Sequence, residues 1–246
     1  QAVPQEVGGI IELTVMADGA AGNNDHALYK IAVRRTTEDL GRAGTSPFPN
    51  PLTPGRNFPL SYVELTALNN NGGGASLLPP DVARFVPNVP MLPRLVTAGA
   101  FKACNLRNAL YTGPYFHNGD SATLRQTVDF YARGGNFPNT NLDNLTVDID
   151  GIAELQFPQF LPSAKQNIEA LVAFVANAFT DQRVALEKAP FDHPQLFVPN
   201  GSPNNRPEQD TMMEIKAVGN AGRPNVRGKP NPIPTFLNLD PQSGGG

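Results

Sequence analysis

Apolar residues in this chain fall in short runs separated by long stretches of Pro, Gly and Asn, and two of the runs repeat with a helical period. In the first, Leu124, Val128 and Tyr131 stand at i, i+4 and i+7. Ser121 or Thr123 can cap the start, and Gly134-Gly135 supplies a left-handed stop. The spacing predicts a helix with those three side chains on one face. In the second, Ile168, Leu171, Val172, Val175 and Phe179 recur at helical spacing behind a Ser163/Gln166 capping box. This predicts an amphipathic core helix. Ile10 to Val15 suits a short strand or a single buried turn, and the alternation from Leu28 to Val33 suits a short strand. Pro47, Pro49, Pro51, Pro54 and Pro59 cannot sustain a helix or a central strand, so this stretch reads as extended loop. Asn69-Asn70-Asn71 followed by Gly72-Gly73-Gly74 predicts a flexible break. Beyond Pro190 the Pro/Asn/Gly-rich chain reads as an extended arm that wraps the domain or frays.

Composition extends this picture. Gly (23), Pro (25) and Asn (24) make up nearly a third of the 246 residues, which predicts long loops around a modest helical core. No apolar run is long enough to span a membrane. The 19 basic and 22 acidic side chains are interspersed without a basic stripe, which removes the electrostatic signature of nucleic-acid binding. A single Cys104 excludes an intrachain disulfide, a CxxC centre and a zinc cluster. Gln1 at the start, with neither a basic nor an apolar leader region, reads as a processed or fragmentary chain.

Three histidines carry the candidate proton chemistry. His26 lies in a polar Asp25-His26 loop and His193 precedes Pro194, so turn or surface roles are expected for both. His117 follows Pro114-Tyr115-Phe116 and precedes Asn118-Gly119, which puts an imidazole at the tip of a tight turn before the Tyr131 helix. Asp148-Ile149-Asp150-Gly151 is not an EF-hand, because its first and twelfth ligand positions would be Thr146 and Phe157. The phosphate-loop, metalloprotease, nucleophile-elbow and dinucleotide patterns are all missing from the sequence.

The most informative stretch is residues 101–137. It contains Leu106-Arg107-Asn108, then Thr112-Gly113-Pro114-Tyr115-Phe116-His117-Asn118-Gly119, then Thr123-Leu124 and Val128 through Tyr131. These linked blocks closely resemble the C-terminal domain of bacterial di-haem cytochrome c peroxidases and their MauG-type relatives. Weaker similarity takes in Tyr29 to Gly41 and Ala189 to Pro194. The resemblance implies a mainly α, cytochrome c-like haem domain with long Pro/Gly/Asn-rich loops and few short strands. It also implies site residues. Tyr131 stands where the family places the distal axial ligand of the C-terminal haem, and a phenolate there would favour oxidised iron. Thr112 and Pro114 match positions whose backbone carbonyls help bind calcium. His117 matches a histidine near the haem pocket, a candidate catalytic proton-transfer group and cofactor contact.

Covalent haem c needs CxxCH, and Cys104 is followed by Asn105-Leu106-Arg107-Asn108, so the haem-bearing cysteines are expected before Gln1 or on a companion chain. The expected organisation is an N-terminal segment over 1–24, the peroxidase-like domain portion over 25–189 and an arm over 190–246. The implied function is part of a periplasmic or otherwise extracytoplasmic di-haem oxidoreductase. In it this chain lines the distal side of a haem that reacts with peroxide or reaches a high-valent state. Electrons would come from a second haem and a donor protein. The alternative is a non-catalytic electron-transfer or docking subunit that keeps the peroxidase scaffold. Neither nucleic acid nor a membrane span is expected, and homo-oligomerisation is left open.

Overall fold

The structure, a computed structural model, describes residues 5–6, 10–50, 54–71, 94–146, 164–202, 206 and 209–244. In chain order these form β1 (Gln5–Glu6), β2 (Ile11–Val15), β3 (Ala21–Asp25), β4 (Leu28–Tyr29), β5 (Thr45–Pro49) and β6 (Asn57–Pro59). They continue with α1 (Tyr62–Asn71), β7 (Phe101–Lys102), α2 (Leu124–Ala132), α3 (Ala164–Ala178), α4 (Gln182–Ala185), β8 (Leu196–Pro199) and β9 (Met212–Ile215). The chain divides into two compact units. The first holds residues 1–105, 116–120 and 127–168, and the second holds 106–115, 121–126 and 169–246.

A mainly α, cytochrome c-like fold with few strands is not what forms. Among the described residues 23% are helix and 24% strand. The strands make one three-stranded sheet and three two-stranded ladders, all antiparallel. The physical reason is the density of Pro and Gly. It cuts the chain into pieces too short to offset helix nucleation, whereas a ladder of two to five residues needs only one partner strand.

Two further expectations are corrected. The proline-rich stretch read as loop contains β5 and β6, paired from Thr45 opposite Pro59 to Pro49 opposite Asn57 with a bulge between. Two strands have only edges, so the missing N–H of a proline can face outward. Of the break expected at Asn69-Asn70-Asn71 and Gly72-Gly73-Gly74, the asparagines form the last turn of α1, and the glycines lie outside the described residues. Its start is fixed by Ser61, whose Oγ accepts from Glu64 N at 3.3 Å, and by the distant Asp25 carboxylate, which accepts from Val63 N at 2.8 Å and Tyr62 N at 3.1 Å.

In the first unit β2 and β3 pair in register from Ile11 opposite Asp25 to Val15 opposite Ala21. Glu12, Thr14 and Asn24 share one face of this hairpin and are buried, and they satisfy one another: Asn24 Nδ2 donates to Glu12 at 2.8 Å and Thr14 Oγ1 donates to Asn24 at 2.9 Å. The apolar centre of the unit is Ala32, Val33, Phe130 and Leu145, with Ile31, Phe116, Tyr131 and Phe137 packed around it.

Helix α2 ends where the sequence predicts, with Gly134 and Gly135 at φ 78° and 93°. Gly135 N donates to Phe130 O at 3.0 Å. At its start Thr123 and Gln126 form a reciprocal box. Thr123 Oγ1 accepts from Gln126 N at 3.2 Å, while Gln126 Oε1 accepts from Thr123 N at 3.3 Å and Ala122 N at 2.7 Å. Thr123 Oγ1 also donates to Ser243 O at 2.6 Å, and Arg125 N donates to Pro241 O at 2.9 Å, so in the second unit the arm is docked on this helix start. Thr123→Ala is expected to destabilise by about 1–2 kcal/mol and Thr123→Ser by much less, as read from urea midpoints. The expected box at Ser163 lies outside the described residues, and α3 runs from Ala164 with Ile168, Val172 and Ala176 buried.

Candidate functional site

The Phe116 to Asp120 turn is built by its own backbone chemistry. Phe116 takes φ 63° and Gly119 φ 74°, and Asn118 Oδ1 accepts from Asp120 N at 3.1 Å. Asp120 Oδ2 in turn accepts from Asn136 Nδ2 at 2.8 Å, which ties the turn to the loop after α2.

His117 projects from this turn with two of its surfaces occupied. Its Nε2 pairs with the Asp39 carboxylate. Its face lies flat on Phe101, with centroids 3.6 Å apart and the planes 3° from parallel. Tyr131 lies on the same unit's core. Its ring meets Phe130 edge-on at 5.3 Å and Phe116 at 6.1 Å. Phe116 thus packs on the Tyr131 side of the core while its neighbour His117 packs on Phe101. Burial pushes the Tyr131 phenol above its ordinary value, and the charge of nearby Cys104 adds to the shift.

Thr112 and Pro114 belong to the second unit. Thr112 follows a 3-10 turn over Ala109–Tyr111 and donates from Oγ1 to Ala109 O at 3.3 Å. The Tyr115 hydroxyl donates to the same carbonyl at 2.7 Å, and burial pushes its phenol up to about 12. Among the described residues no three His, Cys, Asp or Glu side chains converge on a metal position.

The other histidines are also held by acids. His26 Nδ1 lies 3.2 Å from Glu12, and His193 Nε2 lies 3.3 Å from Glu187, which also binds Arg223 at 2.8 Å. The Pro194 carbonyl at 2.8 Å, and then Glu187, hold the His193 imidazole above its ordinary value. Sequence reasoning missed Asp39 and Phe101. Asp39 lies within the segment of weaker family similarity, but nothing local to it points to a histidine 78 residues away.

No family model and no solved structure matches the chain. It is similar to cytochrome-c peroxidase IdrP1 of Pseudomonas sp. (strain SCT), 35% identical over 77 residues, which is 31% of this chain and 17% of that protein. It is also similar to cytochrome-c peroxidase IdrP1 of Denitromonas iodatirespirans, 47% identical over 47 residues, 19% of this chain and 12% of that protein. The matches thus span less than a fifth of these curated relatives' length. They support a relation to the cytochrome c peroxidase family. No helix among the described residues is long and apolar enough to cross a membrane.

Proposed function

We propose that this chain is part of a periplasmic haem oxidoreductase of the cytochrome c peroxidase type, in which it supplies one wall of a haem pocket. The observation that carries this reading is the placement, within one unit, of a His117 oriented by Asp39 and Phe101 and of a half-buried Tyr131 whose ring packs on Phe116 and Phe130. A tyrosine phenolate is a known haem-iron ligand, and Tyr131 stands where the family resemblance places one. The partial similarity to cytochrome-c peroxidases points the same way.

Haem c, attached through cysteines outside this sequence, would supply the one-electron iron chemistry of peroxide reduction or of long-range oxidation of a partner, with electrons arriving from a second haem. On this chain Tyr131 would face the iron, and aromatic Phe116 and Phe130 would keep water from it. His117 would move protons at the pocket edge. A calcium ion on the Thr112 and Pro114 carbonyls fits less well. Calcium takes about 6–8 oxygens, and these residues supply two, so the rest must come from water or another chain.

The test is a pyridine haemochrome assay and ultraviolet-visible spectrum of the assembly that contains this chain, compared with its Tyr131→Phe and His117→Gln variants. Covalent haem c is expected, together with a ferric spectrum changed by Tyr131→Phe and a fall of about 10²-fold or more in peroxide turnover for His117→Gln. Haem c with unchanged spectra and turnover would leave a docking or electron-transfer subunit. An assembly without haem would overturn the reading.

A further inference from the structure

We propose that Asp39 is the positioning residue of His117: its carboxylate holds the imidazole in the Nε2-protonated form and so leaves Nδ1 as the nitrogen that accepts a proton. This rests on the reading of His117 as a proton-transfer group. It goes further by naming the residue that sets the tautomer and the atom that does the transfer.

The placement of Asp39 is built into the backbone. Glu38 N and Asp39 N both donate to Arg35 O, at 3.0 and 3.1 Å, which closes a turn, and Arg34 pairs with Glu38 at 2.9 Å on its outer side. The next residues lie against the strand that carries Phe101: Gly99 N donates to Leu40 O at 2.9 Å and Arg42 N donates to Ala100 O at 3.1 Å. Gly41, at φ 53°, permits this approach, because a Cβ there would stand 2.5 Å from Ala100 O. The segment that carries Asp39 is thus seated against the one that carries Phe101, and His117 meets the first at its Nε2 edge and the second on its face.

The chemistry then follows from the inventory of donors and acceptors. An ionised carboxylate only accepts, so the ring nitrogen facing it must carry hydrogen. A neutral imidazole has one N–H, and with Nε2 committed to Asp39 the lone pair is at Nδ1. Phe101 covers one ring face and prevents the imidazole from swinging away. His117 keeps about a quarter of its side chain exposed, so the ring is not sealed from solvent. A carboxylate that orients an imidazole whose other nitrogen works is the logic of catalytic triads.

The experiment is a long-range proton–nitrogen correlation spectrum of the full chain labelled with ring-15N histidine. His117 is assigned from the His117→Gln variant, and the spectrum is followed with rising pH until the ring is neutral. The expected result is the Nε2–H tautomer in the unsubstituted chain, a mixture in Asp39→Ala, and recovery in Asp39→Glu. An Nδ1–H tautomer in the unsubstituted chain overturns the proposal. So does an unchanged tautomer in an Asp39→Ala chain that keeps the parent backbone signals. Should Asp39→Ala fail to fold, the unsubstituted chain and Asp39→Glu still decide the matter. In the haem-bearing assembly, Asp39→Asn is expected to lower kcat for peroxide by roughly tenfold or more, with KM and the haem spectrum little changed. If the tautomer is as stated but His117→Gln turns over peroxide normally, the functional reading fails and the positioning of His117 by Asp39 stands.

Discussion

Asp25→Ala is expected to cost about 3–5 kcal/mol of stability in the unit that contains it, the range for breaking a buried, hydrogen-bonded ion pair. Asp25 is 2% exposed, and both of its oxygens are in use. Oδ2 accepts from Arg42 Nε at 2.9 Å and Arg42 Nη2 at 2.8 Å, and also from Tyr62 N, while Oδ1 accepts from Val63 N. Truncation strands a largely enclosed guanidinium and two N–H groups at the start of α1 in one step. Asp25→Asn keeps an acceptor for the helix and loses the charge, so its cost should lie between the parent and Ala. Urea unfolding followed by circular dichroism measures both, and a loss below about 1 kcal/mol for Asp25→Ala would refute the assignment.

Stability is expected to rise with pH above neutrality, against the usual trend, and Lys30 is the cause. Its side chain is 2% exposed, and Nζ donates to the carbonyls of Thr140 at 3.0 Å and Asn141 at 3.1 Å. Burial lowers its pKa from 10.5 to about 8, with the Asp143 charge opposing the shift. Below pH 8 the folded and unfolded chains both hold the proton, so the contribution is flat. Between about 8 and 10.5 the unfolded chain binds one proton more than the native chain, and the stability of the fold increases. The limiting slope is about 1.4 kcal/mol per pH unit, so roughly 2 kcal/mol should accrue between pH 8 and 9.5. Above about pH 10 the raised phenols, Tyr115 foremost, act in the opposite sense, because the unfolded tyrosines ionise first. Lys30→Met should erase the rise. Denaturant midpoints across that interval check it, and a flat parent profile would refute it.

What the sequence reveals of this fold tracks how local the physics is. Helix α2 is legible because its cap, its box partner and its glycine stop all lie within 13 residues of one another. Helix α1 is not, because the carboxylate that fixes its start comes from Asp25, 37 residues earlier. The pairing of Leu28 with Lys102 in β4 and β7 is likewise set by tertiary packing. Proline rules written for central strands concealed the β5–β6 ladder. In the site, His117 and Tyr131 are visible through family resemblance, whereas Asp39 and Phe101 acquire meaning only when the chain closes on itself. Lys30 looks like the polar position of an alternating strand until its partners 110 and 111 residues away come into view.

The β8–β9 ladder carries one more consequence. Met212 and Met213 are 57% and 46% exposed, and as consecutive strand residues they project to opposite sides. Conversion of both thioethers to sulfoxides would therefore roughen the two faces of the ladder together, at Pro199 on one side and Val198 on the other, while leaving its backbone pairing in place. Peptides spanning these two residues thus preserve a chemical history of the oxidants the protein has met, legible by mass spectrometry.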